Sequence, residues 1–326
     1  MARRLWLHIG MHKTGSSSIQ AAMQGYDDGR IAYLDWPEAN HSLLMGCAFR
    51  ETRIEQQVER GFARDAAEYL AVAAVLREQL AERLAKGQRD IVISAEDMSA
   101  GFAAADVRRL LDFMARYFDE VKVIAYVREA QSYVLSAFQE IQKERGVPFR
   151  PTALLPVYAQ RFAPWEEVLG AGQMIYVPFL HDALQGGDVV TDFAARLGLA
   201  ALARDVRANV TQSAEAVALT YVLWRLPFVA QARRAALVRR WRGRLERFGR
   251  HRLALTAAAE AEVERLVAQD RRWMEARLGR ALLPDPPLRD DRRVIRVGSA
   301  AGLWWLALRS ALPLALWLVR TGRWRQ

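Results

Sequence analysis

Apolar positions in this chain fall into short unbroken runs, separated by longer stretches with helical spacing. Residues 4–9 (RLWLHI), 90–94 (DIVIS), 121–127 (VKVIAYV) and 173–178 (QMIYVP) are brief, apolar and rich in β-branched or aromatic side chains, and they predict buried strands. Residues 16–24 begin with serines that suit a helix start. Residues 62–86 keep a helical period with Leu70, Ala74, Leu80 and Leu84 on related faces, and 106–117, 132–143 and 189–197 predict further helices. Strands without a polar face, alternating with helices, imply a parallel sheet covered on both sides. The expected fold class is therefore α/β, a three-layer sandwich around a central parallel sheet. Past residue 204 the pattern turns helical, over 214–226, 231–248 and 256–278, which makes the C-terminal part helical. Residues 284–291 (PDPPLRDD) read as a linker by composition. The chain then divides into one large domain over 1–283, a linker over 284–299 and a hydrophobic, basic helix over 300–326.

Composition narrows the function. The chain has 326 residues, 52% of them hydrophobic, enough for a substantial core. A single cysteine, Cys47, excludes a disulfide framework and a cysteine-based zinc site within one chain. The five histidines (8, 12, 41, 181, 251) lack metal-site pairing. The net charge of +10 is unevenly placed: from residue 200 on, 25 Lys+Arg face 11 Asp+Glu, a surplus of +14, leaving about −4 before it. An anionic partner fits that half, whether nucleotide, acidic glycan or membrane surface. No nucleic-acid-binding motif accompanies the charge, and no nucleic-acid partner is expected. No secretory signal is visible, so the active part is expected in the cytoplasm.

The candidate chemistry sits between the first strand and the first helix. Gly10, His12, Lys13, Thr14, Gly15, Ser16, Ser17 and Ser18 form a strand–turn–helix passage, which aims backbone N–H groups and the positive helix end at one spot. Gly15 allows close backbone approach, and the serines add hydroxyl donors. A Walker A loop needs its lysine after the second glycine, followed by Ser or Thr. Here Lys13 precedes Gly15, an arrangement suited to an anionic group with no metal required. Only four lysines occur in an arginine-rich chain, and Lys13 is a compact charge able to stabilise a developing leaving-group anion.

Residues 8–20 (HIGMHKTGSSSIQ) resemble the 5′-phosphosulfate loop of bacterial sulfotransferases that use 3′-phosphoadenylyl sulfate. A second block, 123–128 (VIAYVR) followed by 132–140 (SYVLSAFQE), resembles that family's 3′-phosphate motif, in which an arginine ends a strand and a serine lies eight residues on. Arg128 and Ser136 have that spacing. An arginine fork suits a phosphate, although Arg128 taken alone could equally pair with Glu129. Looser echoes run to about residue 279. The resemblance implies the P-loop-type α/β sandwich, 3′-phosphoadenylyl sulfate as co-substrate, and sulfuryl transfer to an acceptor hydroxyl or amine.

Such a transfer needs a base near the acceptor. Glu96 follows the strand at 90–94, where ligands of open α/β sheets gather, and in the resembled cytosolic enzymes the base follows the corresponding strand. His41, after the first helix, lies in a region that supplies the base in some glycan sulfotransferases. Each also reads as a helix cap. The acceptor surface is expected from 26–60 and 146–164, and the basic half fits a glycan or glycolipid acceptor. Residues 300–319 (AAGLWWLALRSALPLALWLV) are as long as a membrane span, but Arg309 and Pro313 argue against a simple one. With flanking tryptophans and Arg320, Arg323 and Arg325, the segment suits either a helix in the membrane interface or one packed on protein. The first of these makes the protein peripheral at the cytoplasmic face. Two other functions compete: a divergent P-loop phosphotransferase using ATP and magnesium, and a non-catalytic membrane-associated scaffold.

Overall fold

The computed structural model describes residues 2–199, 202, 212–283 and 293–320. In chain order the elements are β1 (Arg4–His8), α1 (Ser16–Met23), β2 (Ile31–Tyr33), α2 (Ser42–Phe49), α3 (Ile54–Glu59), α4 (Ala66–Leu84), β3 (Asp90–Ser94), α5 (Asp97–Gly101), α6 (Ala104–Met114) and β4 (Glu120–Val127). They continue with α7 (Ala130–Glu144), α8 (Tyr158–Leu169), β5 (Met174–Pro178), α9 (Val189–Leu197), α10 (Ala214–Leu223), α11 (Gln231–Leu245), β6 (Arg252–Leu255), α12 (Ala257–Leu278), β7 (Val294–Val297) and α13 (Ala300–Arg320). The chain forms two compact units. The first takes Met1–Arg128, Val157–Asn209 and Asp270–Leu282; the second takes Glu129–Pro156, Val210–Gln269 and Leu283–Gln326.

The first unit is built on a five-stranded sheet in the order β2-β3-β1-β4-β5, with every pairing parallel. This is the α/β sandwich expected from the strand–helix alternation. All four strands read from the sequence are present. The fifth, β2, was not read: its three residues are all buried, too few to show a period. Strand alternation sorts the core into two layers. Trp6, Val92, Ile124 and Tyr126 point to the layer of α1 and α9, where they bury Ile19, Met23, Val190 and Phe193. The alternate residues Leu5, Leu7, Ile93 and Val123 are fully buried on the other side, with α4, α6 and α8 contributing Leu80, Leu110 and Phe162. Each such side chain adds about 1.5–3 kcal/mol of burial.

Strand order also fixes where a ligand sits. From β1 the chain crosses to β2 at one edge, while from β3 it crosses back over β1 to β4. Right-handed crossovers in opposite directions lie on opposite faces of the sheet. The loops after β1 and β3 therefore diverge and open a crevice at the strands' carboxyl ends, the topological switch point.

The second unit is largely helical, as expected after residue 204. In it α10 packs on α7, α11 and α13, and Trp224 Nε1 donates to the Gln142 carbonyl at 2.6 Å. A two-stranded parallel sheet, β6–β7, is an addition the sequence reading did not contain. Of the expected linker, 284–292 lies outside the described residues, and Val294–Val297 is a strand. Residues from the span 1–283 contribute to both units.

Candidate functional site

The loop after β1 stays attached to both neighbouring strands. Ile9 N and Met11 N donate to the Ile124 and Tyr126 carbonyls at 3.0 and 3.1 Å, and Ala95 N donates to the His8 carbonyl at 2.9 Å. The turn then takes two left-handed residues, Lys13 (φ 69°) and Gly15 (φ 81°). For lysine that conformation costs about 1–2 kcal/mol, and left-handed positions within a turn draw successive N–H groups into an anion-binding concavity. Gly15 is required twice over. Its φ favours glycine, and a Cβ there would lie 2.6 Å from Val189 Cγ1. Gly10 is similarly constrained, because a Cβ would lie 2.8 Å from His8 Nε2.

Gly15 caps α1 without a side chain, and the first turn holds no acidic residue. The positive end of the helix is therefore uncompensated by its own cap or first turn. Ser16 is buried, and its hydroxyl has no hydrogen-bond partner among the described residues. A buried unsatisfied hydroxyl beside an open helix start fits an anion's oxygen. Ser17 is exposed and Ser18 half-buried. The Thr14 hydroxyl is used inside the loop, donating to the Met11 carbonyl at 2.6 Å. Its side chain thus shapes the cradle.

Arg128 follows β4 and reaches this loop. Its Nη1 donates to the Lys13 carbonyl at 2.5 Å, and its own carbonyl accepts from Tyr158 Oη at 2.7 Å. The strand-end arginine therefore braces the strained lysine. Ser136 lies on α7, in the second unit. The carboxylate of Glu129 caps that same helix, accepting from Gln131 N and Ser132 N; burial raises its pKa.

Across the crevice, the loop after β3 presents Glu96 and Asp97. Gln20 on α1 donates to Glu96 Oε2 at 2.6 Å, and Asn40 donates to Oε1 at 3.2 Å. Glu96 is thus held by two neutral amides. His12 Nε2 and Asp97 Oδ1 lie 2.6 Å apart, joining the two loops directly. The His12 hydrogen bond holds Asp97 below the usual carboxylate range, assisted by the charges of Arg50 and Arg161. Asp97 is a functional candidate that sequence reasoning missed. Its neighbour Glu96 drew attention for its position, but a pair 85 residues apart leaves no local trace.

His41 is placed otherwise than expected for a base. It is fully buried, its ring stacks on Tyr33 at 4.7 Å, and its Nδ1 accepts from Ser94 N at 3.2 Å. Burial pulls its pKa down to about 4. A buried, weakly basic imidazole tied to β3 is a core residue, and His41 is set aside as the base. His8 is likewise buried, bonded to Ser94 Oγ at 2.8 Å, with its pKa pulled down to about 3.

Beside Asp97 lies a cavity of about 260 Å³ walled by Arg50, Arg53, Arg60 and Gln57. It falls within the segment expected to meet the acceptor. Arg50 packs against Gly101, so closely that a Cβ there would collide with its guanidinium.

Fold and loop together define a parallel α/β sandwich of P-loop type with an anion cradle at its switch point. No family model matches the chain, and no curated protein does. Among solved structures the chain is similar to a sulfotransferase from Alicyclobacillus acidocaldarius, at 17% identity over 74% of this chain and 100% of that one, with a TM-score of 0.39. It is also similar to the sulfotransferase domain from the Synechococcus PCC 7002 olefin synthase, at 14% identity over 82% and 94%, with a TM-score of 0.40. The sulfotransferase domain from the curacin biosynthetic pathway matches at 12% identity over 87% and 99%, with a TM-score of 0.37.

Proposed function

We propose that the chain is a sulfotransferase, moving a sulfuryl group from 3′-phosphoadenylyl sulfate to an acceptor hydroxyl or amine. The observation that carries this reading is the meeting of two loops at one crevice. An anion cradle with a left-handed lysine faces a carboxylate held ready on the neighbouring strand end. A cradle alone would suit many anions; a cradle opposite a supported base suits group transfer. The donor supplies an activated sulfuryl group on a phosphate. The first turn of α1, Ser16 and Lys13 hold that end, and Lys13 offsets the negative charge developing on the departing oxygen. Glu96 takes the proton from the acceptor as its oxygen bonds to sulfur. His12, oriented by Asp97, donates to the sulfuryl oxygens.

Arg128 and Ser136 take the 3′-phosphate on the strength of their motif spacing. The arginine-walled cavity beside Asp97 supports an acidic acceptor, such as an anionic glycan or glycolipid, approached from the Glu96 side. Transfer at the cytoplasmic face of a membrane agrees with the basic C-terminal half.

The test is turnover of the donor with an acidic oligosaccharide acceptor. Glu96→Gln is expected to lower kcat by about a hundredfold or more, as loss of a general base does, with affinity for the nucleotide product unchanged. Lys13→Ala is expected to abolish turnover with the fold intact. Near-normal activity in a folded Lys13→Ala variant contradicts the assignment.

A further inference from the structure

The second unit contains a cavity of about 840 Å³ that the transfer reaction does not use. Its volume is in the range of sites that enclose a small organic ligand. The floor is apolar: Phe248 and Leu306 are buried, and Phe248 meets Trp317 edge-on at 5.9 Å. Trp305 and Pro313 of α13 complete that wall. The rim is cationic. Arg247, Arg250 and Arg309 line it, and all three are exposed. Arg309 is held on the rim by its guanidinium, which lies 4.5 Å from the Trp305 ring. Among the described residues Glu215 is the one carboxylate in the lining, and it is committed to His251, 2.5 Å away. The described rim therefore carries a positive charge.

α13 extends the same character outward. It packs on α10 through a face that buries Leu303, Leu306 and Ala307, and it exposes Leu308, Leu312 and Leu316 on the other. Its apolar window, Ala300–Leu318, is long enough to cross a membrane. With one face already covered by α10, the helix is built instead to lie along a surface.

We propose that this cavity binds one molecule of an anionic phospholipid, its phosphate at Arg250 and Arg309 and its chains against Trp305 and Trp317. Charge complementarity selects the head group, and the aromatic floor selects an acyl chain over a bare anion. The exposed leucines of α13 then rest in the same lipid surface. This site is independent of the sulfuryl-transfer assignment and stands or falls without it.

The test is calorimetry on the full chain with dihexanoyl phosphatidylglycerol below its micellar concentration. The expected result is one lipid per chain, with dihexanoyl phosphatidylcholine at least tenfold weaker and inorganic phosphate not competing. Reversing two rim charges in an Arg250→Glu/Arg309→Glu variant is expected to weaken binding at least tenfold. Binding is expected to change tryptophan fluorescence, and Trp305→Phe to diminish that change. Equal affinity for the choline lipid, full competition by phosphate, a stoichiometry well above one, or unaltered affinity in the folded double variant would each overturn the proposal.

Discussion

At the scale of single residues, the site depends on hydrogen bonds that hold its own loops in place. Thr14 closes the loop on Met11, Arg128 braces Lys13, and Gln20 and Asn40 steady Glu96. His41 belongs to this supporting group, and its burial has a measurable consequence. The folded chain resists protonating it until about pH 4, whereas the unfolded chain takes the proton near 6.5. The unfolded state therefore binds more protons between those values. Stability is complete above about pH 6.5 and declines as pH falls toward 4, by about 3 kcal/mol from this residue. Burial of His8 acts in the same direction. His41→Phe keeps a ring against Tyr33 without a titrating group. Denaturant midpoints at pH 7.5 and 4.5 should fall less in that variant than in the parent chain; an equal fall would show that His41 does not titrate as its burial requires.

At the scale of elements, α9 and the loop after β1 are one construction. Asp188 caps α9 by accepting from Thr191 N at 2.8 Å, and the next residue, Val189, fills the space a side chain at Gly15 would need. Asp188→Ala should cost about 1 kcal/mol of stability and weaken nucleotide binding more than a substitution at the solvent-facing end of α9. Equal effects on both measurements at either end would separate the helix from the loop. Periodicity made most of these elements legible: the strands at 90–94 and 121–127 and the helix at 189–197 stand within a residue of where the pattern puts them. β2, with three residues, and β6 and β7, with four each, are too short for a pattern and form because partners pair with them. The loop and Glu96 stand out as candidates in the sequence because motif and strand end are local features. Asp97 could not, since its meaning lies in reaching His12 across a crevice that only the strand order creates. The burial of His41 is hidden for the same reason: its neighbourhood in sequence is polar, while its neighbourhood in space is the β2–β3 edge.

At the scale of the whole molecule, the two units divide the work suggested by the uneven charge. The first unit, with the slightly acidic half of the chain, carries the parallel sheet and the crevice. The second holds most of the basic surplus, the α10–α13 pair and the cavity assigned to an anionic lipid. What the crevice takes separates sulfuryl transfer from nucleotide hydrolysis or kinase chemistry. The direct measurement is calorimetric titration of the full chain with 3′-phosphoadenosine 5′-phosphate, and with ATP in the presence of magnesium. Binding of the former is expected to be at least tenfold tighter than that of ATP, independent of magnesium and lost in Lys13→Ala. Magnesium-dependent binding of ATP with equal or higher affinity would contradict it.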